Sequence, residues 1–329
     1  LIHFYPQNSM LISNFNQPLI SVVLPVFNGA KTISETVQSV LNQTFVNWEL
    51  IIINDGSQDS TLDIIEKFES AEPRLRIFSY PNAGLAASRN RGIALSLGEY
   101  ISFIDADDLW TPNKLKSQLT ALQEQSKAFV AYSWTDYIDA NGKFVKSGGH
   151  TTDTGDVYQK LLLWNFIENG SNPLVRKEVF DTVGGFDESL SAAEDWDMWL
   201  RLAARYEFVV IPEVQVLYRL SMNSMSANLK RQESTCLTVI NKAFAAPRAE
   251  SLGHLKKHTI SNIYKYLTFR SLEVDPDKVD RWISTLFLWK TLRYNPKFYT
   301  NTRIIFIAIF RIIFPSLYFY LKRNKRVTL

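Results

Sequence analysis

The sequence contains a single cysteine, Cys236, in 329 residues. One thiol excludes an intramolecular disulfide and any zinc cage built from cysteines. With no histidine beside it, Cys236 reads as a packed thiol on a helix. A reducing, cytosolic setting fits that usage. Surplus charge is equally scarce: 36 basic against 33 acidic residues leave +3, which is not the overall footprint of a nucleic-acid binder. The stretch from Leu1 to Pro18 mixes Asn, Gln, Ser and aromatics. It has neither the basic start nor the apolar core of a signal peptide. Residues 1–18 are expected to be a disordered leader, with Met10 a candidate start.

From Leu19 onward, short apolar runs alternate with helical stretches, the rhythm of βαβ units and a parallel sheet. Ile20 to Val26 is the first expected strand and Trp48 to Ile53 the second, with a helix over Ser34–Leu41 between them. The second strand stops at Asn54-Asp55-Gly56-Ser57, where Asp59 and Ser60 offer an N-cap for a helix through Phe68. Arg74 to Tyr80 is a shorter strand, and Leu85 to Leu97 a helix carrying Arg89, Asn90 and Arg91. Helix Asn113–Gln125 precedes a strand over Ala128–Asp139, and Asn141-Gly142 then signals a hairpin. The loop Ser147–Gly155, with His150, is polar and glycine-bearing, of the kind that covers sites.

Between these elements lies Tyr100-Ile-Ser-Phe-Ile-Asp105-Ala-Asp107-Asp108, a buried-looking strand running into three carboxylates within four residues. Open α/β sheets place ligands at the carboxyl ends of their strands. Oxygen ligands at this spacing suit a hard divalent cation, Mg²⁺ or Mn²⁺, that shares substrate phosphates. The alternative is an acidic turn leading into a helix start. Asp55 ends a second strand on the same edge, and Phe27-Asn28 ends the first. An aromatic with an Asp can hold a base by stacking and hydrogen bonding; Asn-Asp-Gly-Ser is also a good turn sequence.

Acids cluster again at Glu194-Asp195-Trp196-Asp197, at the head of a helix with apolar positions Trp196, Trp199, Leu200 and Ala203 at helical spacing. Asp195 can cap that helix, or it can act as a general base fixed beside an acceptor hydroxyl. Beyond Asn228 the sequence turns helical, over Arg231–Ala245, His254–Leu272 and Pro276–Leu292. A last helix over Ile304–Leu321 is apolar nearly all round, flanked by Arg303 and by Lys322, Arg323, Lys325 and Arg326. With Arg311 at its centre it is marginal as a membrane crossing. Residues 304–326 suit peripheral contact with an anionic leaflet, or packing on the catalytic domain or on a second subunit.

Five ordered motifs, Ser21-Val-Val-Leu-Pro-Val-Phe-Asn28, Asn54-Asp55-Gly56-Ser57, Asn82-Ala-Gly84 with Ala87-Ser-Arg89-Asn90, Phe103-Ile-Asp105-Ala-Asp107-Asp108 and Glu194-Asp195, together resemble the inverting family 2 glycosyltransferases. The resemblance spans about Ile20 to Asn228. It implies an α/β GT-A fold, Rossmann-like with a mostly parallel sheet, over 19–228, followed by a C-terminal helical region over 229–329. By similarity, Asp55 recognises the nucleotide base, Phe27 and Asn28 line its pocket, and Arg89 lies near the nucleotide sugar. Asp107 is the metal ligand, Asp105 contacts the donor or the metal, Asp108 stands behind them, and Asp195 is the catalytic base. The implied partners are a nucleotide-sugar donor, with UDP favoured, a divalent cation, and a glycan or lipid-linked acceptor in surface polysaccharide assembly. Transfer to a polyprenyl phosphate and non-catalytic nucleotide-sugar binding are the alternatives. One departure stands out: many relatives place a His two residues after a Tyr-Arg pair, whereas here Tyr218-Arg219-Leu220 is followed by Ser221, with Ser224 and Ser226 keeping the remaining pattern.

Overall fold

Strands β1 (Ile20–Val26) and β2 (Trp48–Asn54) are buried at every residue, as expected for inner strands covered on both faces. Together with β3 (Leu75–Ser79) and β4 (Tyr100–Phe103) they form a parallel unit in the order β3-β2-β1-β4. Helices α1 (Ile33–Leu41), α2 (Thr61–Ala71) and α3 (Leu85–Leu95) make the crossovers. The computed structural model describes residues 17–220, 228–273, 276–295, 297 and 301–325. Most of the expected leader, and Ser221, Ser224 and Ser226, lie outside the described residues.

Past β4 the sheet becomes mixed. After β5 (Leu109–Trp110) and α4 (Lys114–Glu124), the hairpin β6 (Ala128–Ile138) and β7 (Phe144–Ser147) turns at Gly142, whose φ of 77° is the left-handed conformation the Asn-Gly signal requires. After α5 (Tyr158–Leu163), β8 (Leu174–Arg176) inserts antiparallel between β4 and β6. After α6 (Val179–Val183) and α7 (Glu194–Ala203), β9 (Glu207–Arg219) runs parallel to β6 and antiparallel to β5. The α/β fold class stands, with four parallel strands at one side and a curled, mixed half at the other.

Alternate residues of β1 serve opposite faces. Val22, Leu24 and Val26 pack with α1 and α4 on one side, while Val23 joins α3, α5 and α7 on the other. Gly92 of α3 sits where a Cβ would fall 2.2 Å from Val23 Cγ1, so only glycine lets this helix approach the strand so closely. Each fully buried Val, Leu or Ile contributes about 1.5–3 kcal/mol.

The helical region is part of this core. Cys236, Val239 and Ile240 of α8 (Leu229–Ala245), and Ile263, Tyr264 and Leu267 of α9 (Lys256–Ser271), belong to the same apolar cluster as Phe103 and Trp199. The core therefore runs unbroken across the 228 boundary. Phe287 of α10 (Arg281–Tyr294) reaches the same cluster. The expected single last helix over 304–321 is instead two, α11 (Thr302–Ile313) and α12 (Pro315–Lys325), bent by 113°. Pro315 supplies the reason: it has no N–H to donate and its ring clashes with the preceding turn, so the helix stops at Phe314.

Candidate active site

The parallel register brings the ends of β1, β2 and β4 to one edge of the sheet. A cavity of about 760 Å³ lies there, lined among others by Phe27, Asp55, Arg89, Asp105, Asp107 and Asp195. Of the eight residues singled out from the sequence, Asn28 and Asp108 are not in its lining. Asn28 adopts a left-handed φ of 51° and holds two loops together: its Oδ1 accepts from the Gln58 amide at 2.8 Å, and its own amide donates to Ser57 Oγ at 2.9 Å. Phe27 beside it is 52% exposed, an aromatic face open to the cavity.

Asp55 is buried, and its carboxylate accepts from the amides of Ala83 (3.0 Å) and Gly84 (2.8 Å) and from Arg91 Nη1 (3.0 Å). Its backbone carbonyl accepts from Asn82 Nδ2 at 3.0 Å. The Asn54–Ser57 turn and the Asn82–Gly84 segment are thus one hydrogen-bonded unit. Gly84, with φ of 93°, lets consecutive amides point at one carboxylate.

Arg89 is the hub. It is 1% exposed and donates from Nη2 to Asp105 at 2.7 Å and from Nη1 to Glu194 at 2.7 Å, bridging the two acidic segments found in the sequence. Burial opposes its charge, but Asp105, Glu194 and Asp195 outweigh that effect and raise its pKa above the ordinary value. Gly170 makes room for it, since a Cβ there would meet Nη2 at 2.3 Å. The guanidinium also lies 5.2 Å from the centre of the Phe186 ring.

The three aspartates after β4 part company. Asp108 turns inward, fully buried, accepting from Ser171 Oγ at 2.5 Å and from the Arg219 amide at 3.0 Å. Burial, with Asp107 and Asp105 nearby, holds its pKa well above the usual range, so it is a bracing acid and not a cavity ligand. Asp107 lines the cavity, and burial together with the Asp105 charge pushes its pKa up to about 6. Among the described residues, no other residue donates a hydrogen bond to its carboxylate. An acid short of counter-charge beside a second acid is the chemistry of a cation site. Two carboxylates fit a hard cation that takes its remaining oxygens from phosphate and water. Among the described residues, no group of three or more His, Cys, Asp or Glu side chains forms a closed metal cage.

Asp195 stands at the first turn of α7, entered through Ala193 in a left-handed conformation with φ of 55°. Its Oδ1 accepts from the Trp196 amide at 2.7 Å and its Oδ2 from Asn165 Nδ2 at 3.3 Å. Burial and the neighbouring Glu194 push its pKa up to about 7, against the pull of Arg89. A carboxylate so poised exchanges a proton near neutral pH, as general-base chemistry asks.

The far wall was not foreseen. Gln232 and Cys236 of α8, with Asn262, Tyr266 and Arg270 of α9, line the cavity together with Glu273. The Lys146 ammonium of β7 reaches Glu273 Oε1 at 2.7 Å, joining the hairpin to the end of α9. Asn262, Tyr266, Arg270 and Glu273 recur every three or four residues, a polar stripe beside Ile263 and Leu267 that is visible in the sequence once the helix is known to face a cavity. The side-chain oxygens of Asn165 and Asn169, both in the lining, are buried without a hydrogen-bond donor. His150 lies away from the lining, stacked on Trp134 at 4.7 Å and bonded through Nε2 to Asp136 at 2.9 Å.

Known proteins share this architecture. S. aureus TarS residues 1–349, solved in complex with UDP-GlcNAc, superposes with a TM-score of 0.56 at 17% identity, covering 86% of this chain and 92% of that one. The likeness at that identity is one of fold, and it identifies the architecture as GT-A. The chain is 34% identical over 205 residues to an uncharacterized glycosyltransferase of Rickettsia bellii, covering 60% of this chain and 28% of the relative. It is 28% identical over 253 residues to a chondroitin synthase of Pasteurella multocida, covering 76% of this chain and 26% of the synthase. The chain thus spans about a quarter of the length of these two curated relatives. A family model described as "Glycosyltransferase like family 2" matches residues 21–271, which takes in α8 and α9 as well as the sheet. The chain belongs to that family of glycosyltransferases.

Proposed function

We propose that the protein is an inverting transferase that moves a sugar from a nucleotide diphosphate sugar to a hydroxyl of a glycan or lipid-linked acceptor. The observation that carries this reading is the Arg89 bridge. One buried guanidinium fixes Asp105 and Glu194 at 2.7 Å each, and so sets the acids after β4 and the acids opening α7 around a single cavity. Two chemically distinct carboxylate groups on one cavity match the two needs of the reaction.

Asp195 is the base. The acceptor hydroxyl oxygen attacks the anomeric carbon, its proton passes to the Asp195 carboxylate, and the bond to the diphosphate breaks with its electron pair leaving on the nucleoside diphosphate. Attack opposite the leaving group inverts the anomeric configuration. Asp107, seconded by Asp105, would hold a divalent cation, Mn²⁺ or Mg²⁺, which when bound offsets charge on the departing diphosphate. The exposed face of Phe27 and the unit built on Asp55 would receive the base, and the unpartnered side-chain oxygens of Asn165 and Asn169 would accept from sugar hydroxyls. UDP is the favoured nucleotide, in keeping with the TarS structures in complex with UDP and UDP-GlcNAc. The relatives named chondroitin synthase and hyaluronan synthase favour a role in polysaccharide assembly.

Calorimetric titration with UDP, GDP and dTDP, with and without Mn²⁺, tests the reading. Metal-dependent binding of one nucleotide is expected. Failure of the folded protein to bind any of them would overturn it.

A further inference from the structure

Charge is segregated along this chain in a way its small net value conceals. Residues 281–329 hold ten of the 36 basic residues and none of the 33 acidic ones, which leaves 26 basic against 33 acidic residues before them. The acidic part contains the cavity, and the basic part builds α10, α11 and α12. These three helices also carry the densest run of exposed apolar side chains. Trp282 is 73% exposed, Phe306 68% and Tyr320 61%, and Ile309, Ile313, Phe314, Leu317, Phe319 and Leu321 are exposed as well. Only Ala308 and Ile312 of α11 are buried, in a small cluster with Leu272 and Leu288. One edge of α11 therefore grips the body of the protein and the rest meets solvent.

We propose that α10–α12 form a platform that lies on an anionic lipid surface without crossing it. Helices that carry apolar, aromatic and basic residues and no acidic residue of their own, although the Lys290 ammonium of α10 is paired with Glu233 of α8 at 2.6 Å, are complementary to an interface of acyl chains below anionic headgroups. A protein partner would need a matching acidic and apolar face, whereas a lipid leaflet supplies both properties everywhere. Crossing is opposed by geometry. Each helix, of 12 and 11 residues, spans about 18 Å at the usual rise, short of the roughly 30 Å hydrocarbon core, and the 113° bend prevents their adding up. Exposed Trp282 and Trp289, seven residues apart on α10, share a helix face and suit the headgroup level.

The platform is also joined to the cavity. Arg311 of α11 donates to the Leu272 carbonyl at 2.6 Å, just after α9, while Arg270 and Glu273 on either side of Leu272 line the cavity wall. Docking would thus bring the cavity to the membrane, where a lipid-linked acceptor resides. This part rests on the transferase reading; the lipid contact itself does not.

The test is flotation of the full chain with vesicles of phosphatidylcholine alone or with phosphatidylglycerol at 30 mol%. Binding at least about tenfold stronger to the anionic vesicles, weakened by salt, is expected. The triple variant Lys322→Glu/Arg323→Glu/Lys325→Glu should lose that preference, and Phe306→Ser/Phe319→Ser should lower binding to both vesicle types. Both variants should keep the circular dichroism and the nucleotide affinity of the parent. Equal or absent binding to the two vesicle types by a folded, nucleotide-binding chain would overturn the platform and leave the transferase reading intact. A dimer seen in sedimentation that Phe306→Ser/Phe319→Ser dissolves, without vesicle binding, would overturn it in favour of a second copy of this chain.

Discussion

The cavity has two walls of different origin. One is the edge of the parallel sheet, where Asp55, Asp105 and Asp107 follow strands whose register leaves no freedom in where they emerge. The other is built by α8, α9 and the β6–β7 hairpin, where Tyr266, Arg270, Glu273 and Lys146 meet from distant parts of the chain. The sheet wall is rigid and held by buried charge-assisted bonds. The helical wall is closed by a pair whose side chains are 44% and 29% exposed. On the proposed reading, the nucleotide is held by the first wall and the acceptor meets the second.

Substitutions can break that division of labour. The largest effect is expected at Asp195, which α7 presents between the two walls. Asp195→Asn should lower kcat by roughly 10²–10⁴-fold with nucleotide binding unchanged in calorimetry. Its pH profile follows from the raised pKa. The base must be ionised, so kcat/KM should fall about tenfold per unit below pH 7. Stability runs the other way, because a carboxyl whose folded pKa lies above its ordinary value binds its proton more tightly when folded. Between about pH 4 and 7 its contribution to stability falls as pH rises, and Asp195→Asn should flatten that fall in a series of thermal melts.

Arg89→Met comes next. It leaves Asp105 and the buried Glu194 without their shared counter-charge and should cost about 3–5 kcal/mol in urea unfolding. A smaller loss would mean that the sheet edge and α7 are not held together through this residue. Asp107→Ala is expected to reduce Mn²⁺-dependent nucleotide binding on the order of tenfold or more, with little effect in the absence of metal. Smallest in stability is Glu273→Gln, which weakens the partly exposed pairs with Lys146 and Arg270, each worth less than about 1 kcal/mol. Its effect should appear in the KM for acceptor and not in nucleotide affinity. An equal change in both would erase the distinction between the walls.

The sheet wall was legible because local sequence decides it. Alternating apolar runs, the Asn-Gly hairpin and acids at strand ends all act within a few residues, and β1–β4 with their helices formed where expected. The β8 and β9 strands were not read, because β8 is three residues long and β9 follows a helix without a clean alternation. Asp108 illustrates a different limit. Spacing alone makes the three aspartates look alike; the resemblance set Asp108 behind the other two, and the partners that turn it inward, Ser171 and Arg219, lie 63 and 111 positions away. Asn28 likewise sits in the right motif yet serves the loop below the cavity.

By itself the sequence determined the parallel strand order's raw material, the carboxylates at strand ends and the acid-headed helix, since each depends on periodicity or capping close in the chain. Only the tertiary structure decided that Arg89 joins Asp105 to Glu194, the latter 105 positions from Arg89, that α9 closes the cavity, and that Asp195 is poised near neutral pH. Those outcomes arise from burial and through-space charge, which depend on what folding brings near and not on what lies adjacent in sequence.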